Sequence, residues 1–365
     1  MSQNDFTIGN QAFPAFRADL NTALQALATN NSGATAPSTT FANMWWYDSA
    51  NNIMYIRNED NDAWIKFAEL DQTNDKFVLS GTLQLDDGTV SAPALTFNSD
   101  TNMGLYRGGT DILRFVTAGA DRLQISADGS ISTPTLGTSN VRLGVNAGNS
   151  IVSGGNYNTV VGDEAGTALT TGDFNVFLGT YAGDAGATIS NNVGIGVGAL
   201  GTDTNGNGST AVGHSALNAQ NYSSGTTTHN TAVGYQAGVA VTTGVSNTLI
   251  GSLAGDAITT ADNNIAVGHT SLTANTTGAL NTALGSQALL SNTTASNNTA
   301  VGSASLYYNT TGASNTGLGR QALFNNTTAS NNTAVGFQSA LGNTTGGNNT
   351  ALGTYSFYTN STGAD

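Results

Sequence analysis

The chain has 365 residues, 9% of them charged, and its 23 acidic and 9 basic side chains give a net charge of −14. An acidic chain with so few bases argues against electrostatic binding to nucleic acid or anionic lipid, and the lack of cysteine excludes disulfides and thiolate sites. There is no apolar run of membrane-spanning length and no signal-peptide pattern at the N-terminus, so we expect no membrane insertion and synthesis in a cytosol.

Residues 1–70 are predicted to form an N-terminal module of one helix and a small β-meander. The helix is expected within residues 11–30, where apolar side chains recur at helical spacing. Three strands are expected at Met44–Tyr47, Ile53–Arg57 and Ala63–Ala68, separated by turn-forming sequences. All three tryptophans of the chain lie in this meander, which predicts either a compact aromatic core or a docking face.

Residues 71–94 are predicted to be a linker, and residues 95–140 a second, small β-module. Short apolar segments of this module alternate with turn signals such as Gly108-Gly109 and Asp128-Gly129. The composition changes after it: all four prolines lie before residue 140, whereas 36 of the 46 glycines follow that position. The chain is therefore expected to join two architectures.

Residues 141–365 repeat with a period of 17 residues, whose signature is Asn-Thr-Ala-(Val/Leu/Ile)-Gly. The signature glycines are Gly144, Gly162, Gly179, Gly196, Gly213, Gly234, Gly251, Gly268, Gly285, Gly302, Gly319, Gly336 and Gly353. Asn, Thr and Gly are poor helix formers, and a unit this short has room for two short strands and two turns. We therefore predict a β-solenoid of about thirteen coils, each rising roughly 4.7–4.8 Å.

Positions within one coil can be assigned roles. Ala283 and Leu284 before the glycine, and Ala288 and Leu289 after it, are expected with their equivalents to line a narrow core. Gly285 is expected to supply a positive φ or a close backbone approach. The Asn-Thr and Thr-Thr pairs are predicted to stack as ladders at two bends, and the chemically varied residue after the glycine is predicted to face outward.

The small core of each coil bears on assembly. Four small apolar residues per coil bury little apolar surface. The conformational entropy lost when each residue is ordered costs about 1–2 kcal/mol, which so small a buried surface does not offset. Three chains that share a central axis would bury a second face of every coil. We therefore expect a mostly β, fibrous homotrimer.

Three parts of the chain resemble bacteriophage tail fibres. The segment FPAFRADLNTALQALATNNSGATAPSTTFANMWWYDSANNIMYIRNEDNDAWIKF resembles the N-terminal module by which tail fibres, especially those of marine and cyanobacterial phages, attach to the virion. The segment TFNSDTNMGLYRGGTDILRFVTAGADRLQISADGSI is similar to small β-modules along such fibres. The NTAVG repeats resemble the coils of trimeric phage fibres and of the heads of trimeric autotransporter adhesins, whose repeat is shorter.

The resemblance implies a structural protein of the virion, a tail fibre that mediates host recognition and adsorption. Its N-terminus would bind phage tail or adaptor (nozzle) proteins, and its partner on the host would be a surface glycan or protein. Autotransporter adhesins carry a secretion signal and a membrane-anchoring barrel, and this sequence shows neither. A fragment of a bacterial trimeric surface adhesin is therefore the alternative.

Two sets of residues are candidates for these contacts. Candidates for virion docking are Phe13, Phe16, Leu20, Trp45, Trp46 and Trp64. Aromatic residues concentrate in the last four coils, where they could stack on sugar rings or pack between coils or chains. These candidates for receptor contact are Tyr307, Tyr308, Phe324, Phe337, Tyr355, Phe357 and Tyr358.

No arrangement of residues suits catalysis, so we expect no enzyme, no metal site and no cofactor. Asp163 and Glu164 are the only adjacent acids among the coils, and adjacent strand residues point to opposite faces. His214 and His269 share a ladder position but lie three coils apart, roughly 14 Å, too far to share one ion. The threonine ladder also suggests ice binding, but adjacent threonines on a strand would point their hydroxyls to opposite sides.

Overall fold

A computed structural model describes residues 12–28, 31–71, 73–74, 76–79, 83–134 and 136–363. The chain divides into two compact units, Met1–Asp86 and Asp87–Asp365. Among the described residues, no helix has the length and apolar character needed to cross a membrane.

The first unit contains one helix and one antiparallel sheet. The helix α1 (Phe13–Ala28) agrees with the prediction. The strands follow in sheet order as β1 (Trp45–Asp48), β2 (Ile53–Arg57), β3 (Trp64–Asp71) and β4 (Lys76–Leu79). The first three strands agree with the predicted meander, whereas β4 lies within the segment predicted to be a linker. The turn into β4 is built by Asp71, whose Oδ1 accepts the backbone N–H groups of Thr73 and Asn74 at 3.1 Å.

Aromatic side chains fill one face of this sheet. Trp46 is 7% exposed, and its ring stacks on that of Tyr55 at 4.9 Å and contacts that of Trp64 at 5.5 Å. The Trp46 indole N–H donates to the backbone oxygen of Gly33 at 3.3 Å. The tryptophan-rich segment therefore contains the compact core that was one of its two predicted roles.

The second unit begins with a five-stranded antiparallel sheet. Its strands are β5 (Leu95–Phe97), β6 (Asp100–Gly109), β7 (Ile112–Thr117), β8 (Ala120–Ile125) and β9 (Ile131–Ser132). Asp87, in the predicted linker, is tied to β6, because the N–H of Arg107 donates to its backbone oxygen at 2.8 Å and their side chains form an ion pair at 2.9 Å. The end of the predicted linker thus packs on the β-module.

A parallel β-solenoid forms the rest of this unit. Its main sheet has thirteen strands in chain order: β10 (Val141–Leu143), β11 (Thr159–Val161), β12 (Val176–Leu178), β13 (Val193–Ile195), β15 (Thr210–Val212), β17 (Thr231–Val233), β18 (Thr248–Ile250), β19 (Ile265–Val267), β20 (Thr282–Leu284), β21 (Thr299–Val301), β22 (Thr316–Leu318), β23 (Thr333–Val335) and β24 (Thr350–Leu352). Each strand pairs with its counterpart 17 residues on, except at the longer steps. This confirms the predicted solenoid and its period.

Each coil contributes one strand to this sheet, not the two predicted. Only one further pair, β14 (Gly206–Asn207) with β16 (Thr226–Thr227), forms a second ladder among the described residues. The remainder of each coil turns through residues with positive φ, as at Gln287 (62°), Leu289 (50°) and Asn297 (62°). Because this left-handed backbone cannot continue a strand, the rest of the coil is a chain of tight turns.

The core of each coil is lined by fewer of the predicted residues than expected. Ala283, Ala288 and Leu289 have no exposed surface, as predicted. Leu284 was expected in the core but lies half-exposed on the outer face of the sheet, as do its equivalents such as Val335. Adjacent residues on a strand point to opposite faces, so Ala283 and Leu284 cannot both face inward.

A ladder of buried asparagines replaces much of the apolar core. Oδ1 of Asn281 accepts the backbone N–H of Asn298 at 3.0 Å, and Nδ2 of Asn298 donates to the backbone oxygen of Gly312 at 2.9 Å. A second ladder runs from Asn275 to Asn343 through side-chain amides, for example Asn309 Nδ2 to Asn292 Oδ1 at 2.9 Å. Except at Oδ1 of their last members, Asn343 and Asn349, the ladders satisfy polar groups that would otherwise be buried without partners.

The threonine ladder links coils through the backbone. The hydroxyl of Thr293 donates to the backbone oxygen of Thr310 at 3.1 Å, and that of Thr310 does so to Thr327 at 3.0 Å. The second threonine of each pair, such as Thr294, is exposed. The predicted stacking of the Asn and Thr positions is therefore confirmed.

The asparagine ladder changes at the four-residue insertion. Ser209 takes the ladder position there, and a buried polar group of Asp203, Gln220 and Asn230 surrounds it. Gln220 donates through Nε2 to Asp203 Oδ2 at 2.6 Å, and Asn230 Nδ2 donates to Gln220 Oε1 at 2.9 Å. Burial raises the pKa of the Asp203 carboxyl, while its hydrogen bonds to Gln220 and the Gly206 N–H oppose the shift.

Candidate binding surfaces

The outer face of the solenoid sheet carries an aliphatic column along its whole length. The column holds one residue per strand: Leu143, Val161, Leu178, Ile195, Val212, Val233, Ile250, Val267, Leu284, Val301, Leu318, Val335 and Leu352. Threonine or another β-branched residue forms the parallel column at the first position of each strand. Leu318 in mid-column is 45% exposed. At roughly 4.8 Å per strand, this gives a continuous apolar strip on the order of 60 Å long.

A second apolar surface lies on the N-terminal unit. Of the predicted docking residues, Phe13 is 73% exposed and Trp45 is 37% exposed, and Phe16 and Leu20 also lie on the surface. Trp46 is buried and Trp64 half-buried, so these two belong to the core of the sheet. Sequence reasoning missed Phe67, which contacts Trp45 edge-on at 5.1 Å on the exposed face.

Phe77 extends this exposed face onto β4. Its ring lies 6.1 Å from that of Phe67, and 54% of its surface is exposed. Ile65 is 52% exposed and pairs across the sheet with Ile56, which itself pairs with Trp45. The alternation of side chains along β3 would have placed Ile65 and Phe67 on one face of the sheet. That this face continues to Phe77 could be recognised only once β4 was known to belong to the sheet.

Three of the predicted receptor-contact residues form one aromatic cluster. The rings of Tyr307 and Phe324 stack at 5.1 Å, because they occupy the same position in successive coils. The ring of Tyr308 meets both edge-on, at 4.7 and 5.1 Å. Tyr308 is 46% exposed, whereas the other two are half-buried. Tyr308 therefore presents the accessible edge of this cluster.

The remaining candidates divide into a second cluster and a core residue. The ring of Tyr355 meets those of Phe337 at 5.3 Å and Tyr358 at 5.4 Å, both edge-on. The guanidinium of Arg320 lies 5.7 Å from the Phe337 ring centroid, within cation–π range. Phe357 instead packs against the solenoid core, at the position that Leu306 and Leu323 take in earlier coils.

Aromatic pairs also occur on earlier coils, outside the predicted set of receptor-contact residues. Tyr157 and Phe174 stack at 5.0 Å with nearly parallel rings, and each is more than half exposed. His214 stacks on Tyr235 at 5.4 Å. The sequence could have indicated such pairs, because aromatic residues one coil period apart stack in the same column of the solenoid. His214, Tyr235 and Asp163 confirm that the position after the glycine faces outward.

Among the described residues, no group of three or more His, Asp or Glu side chains could hold a metal ion. Glu164 bonds instead to Asn146, whose Nδ2 donates to Oε1 at 2.6 Å. Asp163 and His214 stand separately on the exposed position after the glycine.

Comparisons with family models, with curated proteins and with solved structures found no significant match.

Proposed function

We propose that this chain is a homotrimeric bacteriophage tail fibre that attaches to the virion by its N-terminal unit and contributes to host adsorption. The observation that carries the proposal is the uninterrupted aliphatic column on the outer face of the thirteen-stranded sheet. A solenoid of stacked, nearly identical coils suits a mechanical and adhesive role.

The aliphatic column supports assembly through this face of the solenoid. Contiguous exposed apolar surface of this extent is uncommon on monomeric proteins and typical of interfaces. A sheet whose inner face is packed and whose outer face repeats Thr-x-(Val/Leu/Ile) offers identical surfaces to identical chains. Three such strips around one axis would bury each other along the shaft.

The exposed face of the N-terminal sheet supports attachment at that end. Trp45, Phe67 and Phe77 form a continuous aromatic surface, and helix α1 adds exposed apolar residues. Interface cores are enriched in aromatic residues and poor in charge. A tail or adaptor protein with a complementary apolar surface would cover them.

The clusters around Tyr308 and Tyr355 support a binding role for the last coils. Exposed aromatic rings provide apolar area with little side-chain entropy to lose, and tyrosine adds a hydroxyl for hydrogen bonding. A surface glycan of the host suits these properties. The second candidate is that the chain is a fragment of a bacterial trimeric surface adhesin. The solenoid by itself supports this candidate as well as it supports the tail fibre.

Two measurements test the proposal. Light scattering should give three times the 36.9 kDa mass of one chain, whereas a stable monomer would contradict the trimer. Antibodies against the chain should label the tails of purified phage particles in electron micrographs. Labelling of a bacterial surface without particles would favour the adhesin, and absence of the chain from particles would overturn the tail-fibre assignment.

A further inference from the structure

Two arginines of the second unit share a small cleft between the β-module and the first coil. The cleft has a volume of about 150 Å³ and is lined by Asp121, Arg122, Thr133, Pro134, Arg142, Gly144 and Ala147. Arg122 lies on β8 and Arg142 on β10. The chain has only nine basic residues in all, so two at one cleft concentrate scarce positive charge.

Arg142 stands at an unusual position in the solenoid. It pairs in register with Val160, which is fully buried, and this column is small or apolar in every later coil. A guanidinium therefore occupies the place of a core residue at the first coil. Its Nε donates to the backbone oxygen of Ala147 at 2.6 Å, which fixes the orientation of the group.

The terminal nitrogens of both guanidinium groups have no acidic partner within the described residues. The ion pairs there are Lys66–Glu69, Arg107–Asp87 and Arg114–Asp121. Arg122 uses only Nε, which donates to the Thr117 hydroxyl at 2.9 Å. Burial and the positive charge of Arg122 both lower the pKa of Arg142, although a guanidinium stays protonated.

The one carboxylate in the cleft is already neutralised. Asp121 accepts from Arg114 Nη1 at 2.5 Å through Oδ2 and from the Tyr106 hydroxyl at 2.7 Å through Oδ1. It therefore does not compensate the charges of Arg122 and Arg142. The two nearby positive charges repel each other and have no counter-ion. A bound anion would offset this repulsion.

We propose that this cleft binds an oxyanion, a phosphate, sulfate or carboxylate group, between Arg122 and Arg142. Planar guanidinium groups match the oxygens of such anions in paired hydrogen bonds. The cleft is smaller than the pockets of about 300–1,000 Å³ that hold whole organic ligands, so it accommodates the charged group and not a long saccharide. The site does not depend on the fibre function, because it involves only this unit of the chain.

Calorimetric titration of the full chain tests the site, with inorganic phosphate and glucuronate as separate probes and glucose as the neutral control. Saturable binding of one anion per chain is expected, with no binding of glucose. Tighter binding of phosphate identifies a tetrahedral oxyanion as the preferred ligand, and tighter binding of glucuronate identifies an acidic sugar. The absence of saturable binding by both anions would overturn the proposal.

Arg122→Gln should weaken binding by about tenfold or more, since it removes a charge-assisted contact. Arg122 is exposed, so the variant should fold, and its melting temperature checks this. Arg107→Gln is the control, because it removes the same side chain from β6, which lies two strands away from β8 in the sheet and outside the cleft. Equal weakening by the two variants would show general charge attraction and refute a defined site.

Discussion

At the scale of single residues, the signature glycine permits the close approach of successive coils. Gly285 has a φ of 133°, and a Cβ built on it would lie 2.7 Å from the carbonyl carbon of Gly302 in the next coil. The backbone of adjacent coils thus occupies the space that any side chain would need. The repeat could be read from the sequence, but this contact between glycines of successive coils could not, because it depends on the tight turn after each strand.

Gly285→Ala should therefore destabilise the solenoid more than the same change at Gly353. Both glycines have positive φ, but a methyl group at Gly353 would meet no atom within 4 Å, so this position isolates the conformational cost of about 1–3 kcal/mol. Overlap with Gly302 should add about 1–3 kcal/mol at Gly285. Urea unfolding followed by circular dichroism measures both, and equal losses would show that the close approach is unimportant.

Asp203 is the residue whose charge should matter to stability. Its folded-state pKa is raised by burial, so the folded chain binds this proton more readily than the unfolded chain. The contribution of Asp203 to the free energy of unfolding is therefore greatest at low pH, and it falls as the pH rises through the folded-state pKa. Asp203→Asn removes the buried charge but also the second acceptor oxygen, which Gln220 Nε2 uses, so its stability relative to the natural chain should be greater at pH 7 than at low pH.

Differential scanning calorimetry at pH 7 and near pH 4 tests this prediction. The melting temperature of the variant minus that of the natural chain should fall on acidification, because more of Asp203 is then protonated. A difference that stays constant or grows would show that hydrogen-bond geometry, and not the buried charge, dominates at this position.

At the scale of elements, the sequence indicated the period more reliably than the path of the chain within it. The helix, the strands of the meander and the spacing of the coils followed from hydrophobic patterns and from the repeated glycine. The number of strands per coil did not, because leucine at positions such as Leu289 takes a left-handed conformation that its residue type does not predict. The outward direction of Leu284 follows once its strand is known, since alternation fixes it.

The asparagine ladder should contribute strongly to the cohesion of these strands. Asn298→Ala would leave the backbone oxygen of Gly312 and the N–H of Asn315 without their partners in the core. An unsatisfied buried group costs about 1–3 kcal/mol, so the loss should be about 2–4 kcal/mol. Asn325→Ala is the control, because Asn325 is only half-buried and lies outside both ladders. Chemical denaturation should separate the two variants; similar stabilities would contradict a structural role for the ladder.

At the scale of the whole molecule, the same repeat that builds the coil also builds its outer surface. Every strand adds one aliphatic residue to the outer column, so the apolar strip grows with the number of coils while the inner core per coil stays small. The residues that form the strip are the Val/Leu/Ile of the signature, which the sequence predicted to line the core. That prediction was wrong, because the sequence alone does not tell which of two adjacent strand residues faces inward.

If this strip holds three chains together, a charge placed within it should separate them without unfolding the coil. Leu318→Lys sets a charged side chain at a position that is 45% exposed in one chain, where the solenoid itself tolerates it. In a trimer that position would be desolvated, and burying an unpaired ammonium is strongly unfavourable. Light scattering should then report the mass of one chain, with the circular dichroism spectrum unchanged. Thr311→Lys adds the same charge on the exposed threonine of the same coil, away from the strip, and should leave the trimer mass intact. A trimer that survives Leu318→Lys would place the interface on another face of the solenoid.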